Sequence, residues 1–146
     1  VGHQYAQGVT SVLDSVHHIN LLVRDLAQAS ARLSATLGIE FGPVEPLAAR
    51  GAIAARARIG STWFVLVQPT DPYGVPGRRL AERGEGVFLI SFGVADLDAS
   101  IGALTARGTT FTSAAPRRGL ADWHVIDTAL GAEFGVDLQL CAERPT

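Results

Sequence analysis

Val16-His17-His18-Ile19-Asn20-Leu21-Leu22-Val23-Arg24-Asp25-Leu26 is the stretch on which the fold of this 146-residue chain turns. Its apolar frame reads as a strand from about Ser15 to Val23. Side chains alternate across a strand, so His18, Asn20 and Leu22 share one face and His17, Ile19, Leu21 and Val23 the other. Asp25 then suits the N-cap of a helix, with Gln28 as its capping-box partner. Leu26, Ala29, Leu33 and Leu37 recur at helical spacing, and Gly38 suits the residue just past the helix end. Shifted by 71 positions, the chain nearly repeats itself. Val16/Val87, Ile19/Ile90, Val23/Val94, Asp25/Asp96, Leu26/Leu97, Leu33/Leu104 and Ala35/Ala106 are identities at that single offset. One long repeat points to two copies of a supersecondary unit rather than to a solenoid.

Outward from this stretch, residues 1–14 read as a loose N-terminal arm and residues 15–68 as a first βαβββ module. Glu40 to Leu47, interrupted by Pro43 and Pro46, is an edge strand or loop. Ala52 to Ile59 and Thr62 to Gln68 are strands, the second with Thr62, Phe64, Leu66 and Gln68 on one side. Residues 69–86 are a linker broken by proline and glycine, with one or two helical turns between Arg78 and Arg83. Residues 87–142 repeat the plan. The strand Val87 to Val94 leads through the cap Asp96 to a helix carrying Leu97, Ile101 and Leu104, with Gly108 at its end. Strands follow near Thr110 to Ser113, Trp123 to Asp127 and Gly135 to Cys141, and residues 143–146 are a tail. The expected fold is α+β: two modules pairing into an open, cup-shaped, eight-stranded mixed sheet with helices on the convex face. The repeat places His18, Gln68, Leu89 and Gln139 at related positions in the cup.

Composition narrows the function. Hydrophobic residues make up 47% of the chain, which is globular composition. The formal net charge of −2 argues against a nucleic-acid partner. No apolar run approaches the roughly 20 residues of a membrane span, and no signal-peptide pattern opens the chain, so a cytoplasmic protein is expected. All twelve basic residues are arginine, which excludes a Schiff-base lysine. Cys141, the single cysteine, reads as an apolar filler. His18 and His124 are candidates for proton transfer near neutral pH. Asp137, on the face of Gln139, is a further candidate base, whereas His17 faces away. Asn20 and Ser91 are plausible hydrogen-bonding neighbours, and Phe64, Leu66 and Leu89 give the cup an apolar lining. Ala114 to Asp122 is a polar loop that can cover a pocket; Arg117 and Arg118 there read as solvated, or as partners for an anion.

The chain from Ser15 to Ala142 resembles the vicinal oxygen chelate superfamily, which includes glyoxalase I, extradiol dioxygenases, bleomycin-resistance proteins and methylmalonyl-CoA epimerase. The resemblance is nearest to the epimerase branch, through His17-His18-Ile19 to Asp25-Leu26, Gln68 to Pro72, Arg79 to Gly86 and Gly135 to Leu140. In metal-dependent members the first, fourth, fifth and eighth strands supply four ligands. Carried over, these fall on His18, Gln68, Leu89 and Gln139. Leucine has no lone pair, and an amide lacks the carboxylate's charge. No cofactor is therefore expected, a weakly held divalent ion at His18, Gln68 and Gln139 being the alternative, with His124 or Asp137 completing a distorted site. The resemblance implies a homodimer with a small-molecule carbonyl or carboxylate ligand. It implies metal-independent proton transfer next to a carbonyl: isomerisation, epimerisation, cyclisation or elimination, in which His18, His124 or Asp137 moves the proton and Gln68 and Gln139 orient the ligand. The alternative is a non-catalytic, drug-sequestering protein of the bleomycin-resistance type.

Overall fold

The computed structural model describes residues 12–143; the expected N-terminal arm, apart from Val12 to Asp14, and the tail beyond Glu143 lie outside these residues. Eight strands form one mixed sheet: β1 (Ser15–Leu22), β2 (Glu45–Leu47), β3 (Ala52–Ile59), β4 (Thr62–Pro69), β5 (Gly86–Gly93), β6 (Arg117–Arg118), β7 (Trp123–Asp127) and β8 (Asp137–Glu143). Their order is β2-β3-β4-β1-β5-β8-β7-β6. Each half has one parallel pair, β1 with β4 and β5 with β8, and the halves join through antiparallel β1 and β5. The sheet curls into a half-barrel of the expected α+β plan.

The helices form where the caps predict. Helix α1 (Leu26–Leu37) begins at Asp25, whose side chain accepts from the Gln28 amide, and ends at Gly38 in the left-handed region. Helix α3 (Leu97–Ala106) begins at Asp96 with the same bond from Ala99. Both lie on the convex face. Leu26, Ala29 and Leu33 of α1 pack with Val23, Ala55, Phe64 and Leu66, and Leu97, Ile101 and Leu104 of α3 pack with Val94, Ile126 and Leu140. A third apolar cluster fills the concave side, with Leu22, Val65, Val67, Phe88, Leu89, Trp123, Val125 and Cys141. Helix α2 (Val75–Arg83) occupies the linker and packs Leu80 against that cluster. Among the described residues no helix is long and apolar enough to cross a membrane.

Three segments depart from expectation. Thr110 to Ser113 forms only a single bridge, Phe111 to Thr128, and the pairing falls instead to β6 within the expected loop. A short helix, α4 (Gly131–Phe134), precedes β8. Strand β4 is turned over: Phe64 and Leu66 face α1, and it is Val65 and Val67 that face the cup. Both faces of β4 are apolar, so alternation identifies the strand without saying which face is which.

Candidate functional site

The cup is shaped by two β-bulges. Opposite β5, the pairing of β1 steps from Val16/Phe92 to His18/Ser91 and from Asn20/Leu89 to Leu21/Val87. His17 is the extra residue of the first step and Phe88 of the second, and 17 and 88 are themselves 71 apart. A bulge sends two consecutive side chains to one side. His17 therefore does not face away as alternation predicts; it joins His18 over Trp123, just as Phe88 joins Leu89 in the concave cluster.

His18 is 3% exposed and stacks on the Trp123 indole at 4.5 Å between ring centroids. Its Nδ1 lies 2.8 Å from Nδ1 of His17, and Nε2 of His17 lies 2.8 Å from a carboxylate oxygen of Glu143. In the neutral pair these contacts fix the tautomers. The Glu143 carboxylate takes the Nε2–H of His17, Nδ1 of His17 becomes an acceptor, and His18 donates its Nδ1–H. That leaves His18 a bare lone pair at Nε2. Burial, then the neighbouring His17, and more weakly Arg56 hold the His18 pKa down to about 3, against an opposing influence of the nearby Gln139 amide. The imidazole is thus neutral across the physiological range.

Gln139, 3% exposed, sits beside Ser91 on the adjacent strand. Its Nε2 donates to Asp127 at 2.9 Å, so its Oε1 is left buried without a protein partner, as is Oδ1 of Asn20. His18, Asn20, Leu89 and Gln139 open onto one cavity of about 210 Å³, with Val67, Phe88, Trp123 and Val125 as apolar wall. Residues 46–50 close one side and residues 117–120 another. The expected covering loop is in place, and Arg117 is not merely solvated: it pairs with Asp127 at 2.9 Å. This volume is below the roughly 300–1,000 Å³ of drug-sized sites and fits a small acyl group.

Other candidates lie elsewhere. Gln68 is outside the cup, where its Oε1 accepts the Leu26 amide at 2.7 Å and caps α1. Phe64 and Leu66 belong to the α1 core. His124 alternates with Trp123 and Val125 and so faces the convex side, near the N-terminus of α3. Asp137 is held by Arg79 of α2 at 3.2 Å, and Ser91 is buried behind the cavity wall, beside Cys141. Burial, with Glu143 adding, pushes the Cys141 thiol up to about 12, which makes it inert. Trp123 and Arg50 were not singled out by sequence reasoning. The bulky aromatic next to His124 was the available signal for the first; nothing local marked the second.

The four ligand positions do not make a metal site. Asn20 pairs with Val65 and its mate Ser91 pairs with Gln139, so the mate of Gln139 is Val65, three residues before Gln68. The offset is 71 residues between β1 and β5 but 74 between β4 and β8, and an odd difference reverses the face. The real set is His18, Val65, Leu89 and Gln139: one imidazole, one amide and two side chains without a lone pair. The trio His18, Gln68 and Gln139 is never assembled, and His124 faces away. His17, His18 and Cys141 do bring ligand atoms within 4.8 Å of one another. Their imidazoles are already bonded to each other, and the thiol would have to lose its proton against burial.

Residues 17–126 match the sequence profile of the Glyoxalase/Bleomycin resistance protein/Dioxygenase superfamily. No curated protein matches in sequence. Among solved structures, methylmalonyl-CoA epimerase from Mycobacterium tuberculosis is 25% identical, with a TM-score of 0.88 over 98% of this chain and 97% of that one. A variant Streptomyces coelicolor methylmalonyl-CoA epimerase in complex with 2-nitronate-propionyl-CoA is 28% identical, with a TM-score of 0.84 over 91% and 99%. A methylmalonyl-CoA epimerase in complex with methylmalonyl-CoA and NH4+ is 29% identical, with a TM-score of 0.83 over 91% and 99%. With its duplicated βαβββ halves and its cup between them, the chain belongs to the glyoxalase/bleomycin resistance/dioxygenase superfamily, the vicinal oxygen chelate family.

Proposed function

We propose that this protein is a metal-independent enzyme that moves a proton at a carbon next to a carbonyl, an isomerase or epimerase acting on a small acyl compound. The observation that carries this reading is the Glu143–His17–His18 chain, which leaves the lone pair of His18 beside the cavity. A neutral imidazole with a fixed tautomer is a general base whose proton acceptance needs no reorientation; such help is worth about 10²–10⁴-fold. The negative charge that develops on the carbonyl oxygen needs donors. The NH2 group of Asn20, on the same strand and lining the same cavity, would supply one, and a preorganised donor contributes about 2.7–4 kcal/mol. A base held at about 3 is weak, and an anionic group in the cavity raises it by favouring the imidazolium. Likeness to epimerases whose complexes hold CoA thioesters supports the reaction class.

The test is solvent exchange. The protein is incubated in deuterium oxide with methylmalonyl-CoA and with simpler acyl thioesters, and deuterium at the α-carbon is followed by NMR. Exchange that disappears in His18→Ala supports the reading. Tight binding without exchange overturns it and favours ligand sequestration, the function of bleomycin-resistance proteins.

A further inference from the structure

Three arginines, Arg50, Arg117 and Arg118, line the cavity, and their pairing is uneven; Arg118 reaches Asp122 at 3.5 Å. Asp127 is taken by Arg117 at 2.9 Å and by the Gln139 amide. Asp137 is taken by Arg79 at 3.2 Å. Glu45, on the strand just before Arg50, is bound to Arg56 at 2.9 Å. Arg50 is left over: it lines the cavity, and no carboxylate of the described residues lies within ion-pair reach of it. Burial, then Arg117 and more weakly Arg79 depress its pKa, opposed by the charges of Asp127 and Asp137. An arginine nonetheless stays charged in water at neutral pH.

The backbone holds this cation in place. Arg50 closes a single 3₁₀ turn (Ala48–Arg50), and Gly51 follows it with a φ of 66°. The Gly51 carbonyl accepts from both Thr70 and Asp71, which ties the turn to the linker. A Cβ at Gly74 would lie 2.7 Å from the Arg50 carbonyl, so the two segments touch as backbone. A half-buried guanidinium on a braced turn, without a counter-ion and facing a cavity, is a costly arrangement unless something bound there neutralises it.

We propose that the cavity takes its ligand by a compact oxyanion, carboxylate or phosphate, docked on Arg50, with the rest of the ligand extending toward His18. The assignment of the far end to His18 rests on the proton-transfer reading; the assignment of the anion to Arg50 does not.

Equilibrium binding separates the two. The probes are malonyl-pantetheine, its methyl ester at the free carboxylate, and inorganic phosphate as competitor. The free acid is expected to bind about tenfold to hundredfold more tightly than the ester, the range for a hydrogen bond to a charged group. Arg50→Gln should remove that difference while leaving ester affinity unchanged, and Arg50→Lys should keep part of it. If phosphate displaces the acid from the native protein and not from Arg50→Gln, phosphate is an accepted anion. If it does not, the site is selective for carboxylate. Equal affinity for acid and ester together with no Arg50-dependent phosphate binding overturns the proposal, as does an acid preference that survives in Arg50→Gln. Failure of deuterium exchange with these affinities intact would sink the proton-transfer reading alone.

Discussion

The two halves of this sheet have one backbone plan and opposite chemistry. The bulge in β1 presents His17 and His18 to the cup, and the matching bulge in β5 presents Phe88 and Leu89. In the first half the doubled position holds a hydrogen-bonded relay that ends at Glu143. In the second it is apolar wall. Duplication supplies a scaffold that brings four strand centres together, and what each centre does depends on one or two side chains. β4 and β8 differ in a second way. Val65 and Gln139 are mates, but a difference of three residues in spacing gives β4 its own glutamine at the wrong face, where it caps a helix.

The comparison breaks most sharply at His18. His18→Ala is expected to reduce α-carbon exchange by about 10²–10⁴-fold, whereas Leu89→Ala should change affinity more than rate; steady-state and exchange kinetics on the two variants test this. Trp123 is the next largest. It supports both histidines and is 3% exposed, so Trp123→Ala should cost about 3–5 kcal/mol in a urea or thermal unfolding experiment.

Protonation of His18 should show as a pH dependence of stability. Its folded pKa of about 3 lies below the ordinary 6.5, so between these values the unfolded chain binds the proton more readily. Stability is fully present above 6.5 and falls as pH drops toward 3, by up to about 1.4 kcal/mol per pH unit. His18→Phe should flatten that decline in denaturant midpoints measured from pH 7 to 4. The smallest effect separates the two glutamines. Gln68→Ala removes a cap from α1 and should cost about 1 kcal/mol with exchange preserved. Gln139→Leu should lower exchange, because it leaves Oδ1 of Asp127 without its amide donor and alters the neighbourhood of His18. Loss of exchange in Gln68→Ala would return that residue to the cup.

Much of the fold was legible because its signals are local. Asp25, Gly38 and Asp96 marked helix ends through hydrogen bonds to their own neighbours, and the apolar runs marked strands. The site was legible where a strand has one polar-leaning face, as with His18 and Asn20. It was not legible at Gln68, Phe64 and Leu66, because β4 is buried on both sides. Nor was it legible at His124, whose strand gave no clue to its register.

Amino-acid order alone determined the duplication, the helix caps, seven of the eight strands in outline and the lack of lysine chemistry, since each follows from backbone preferences and side-chain types within a few residues. Only the tertiary structure decided which face each strand offers, that two bulges bring His17 beside His18 and Phe88 beside Leu89, and that Arg50, of the described arginines lining the cavity, is the one without a carboxylate partner. Those outcomes depend on register and on pairings between residues tens of positions apart, which no local pattern encodes.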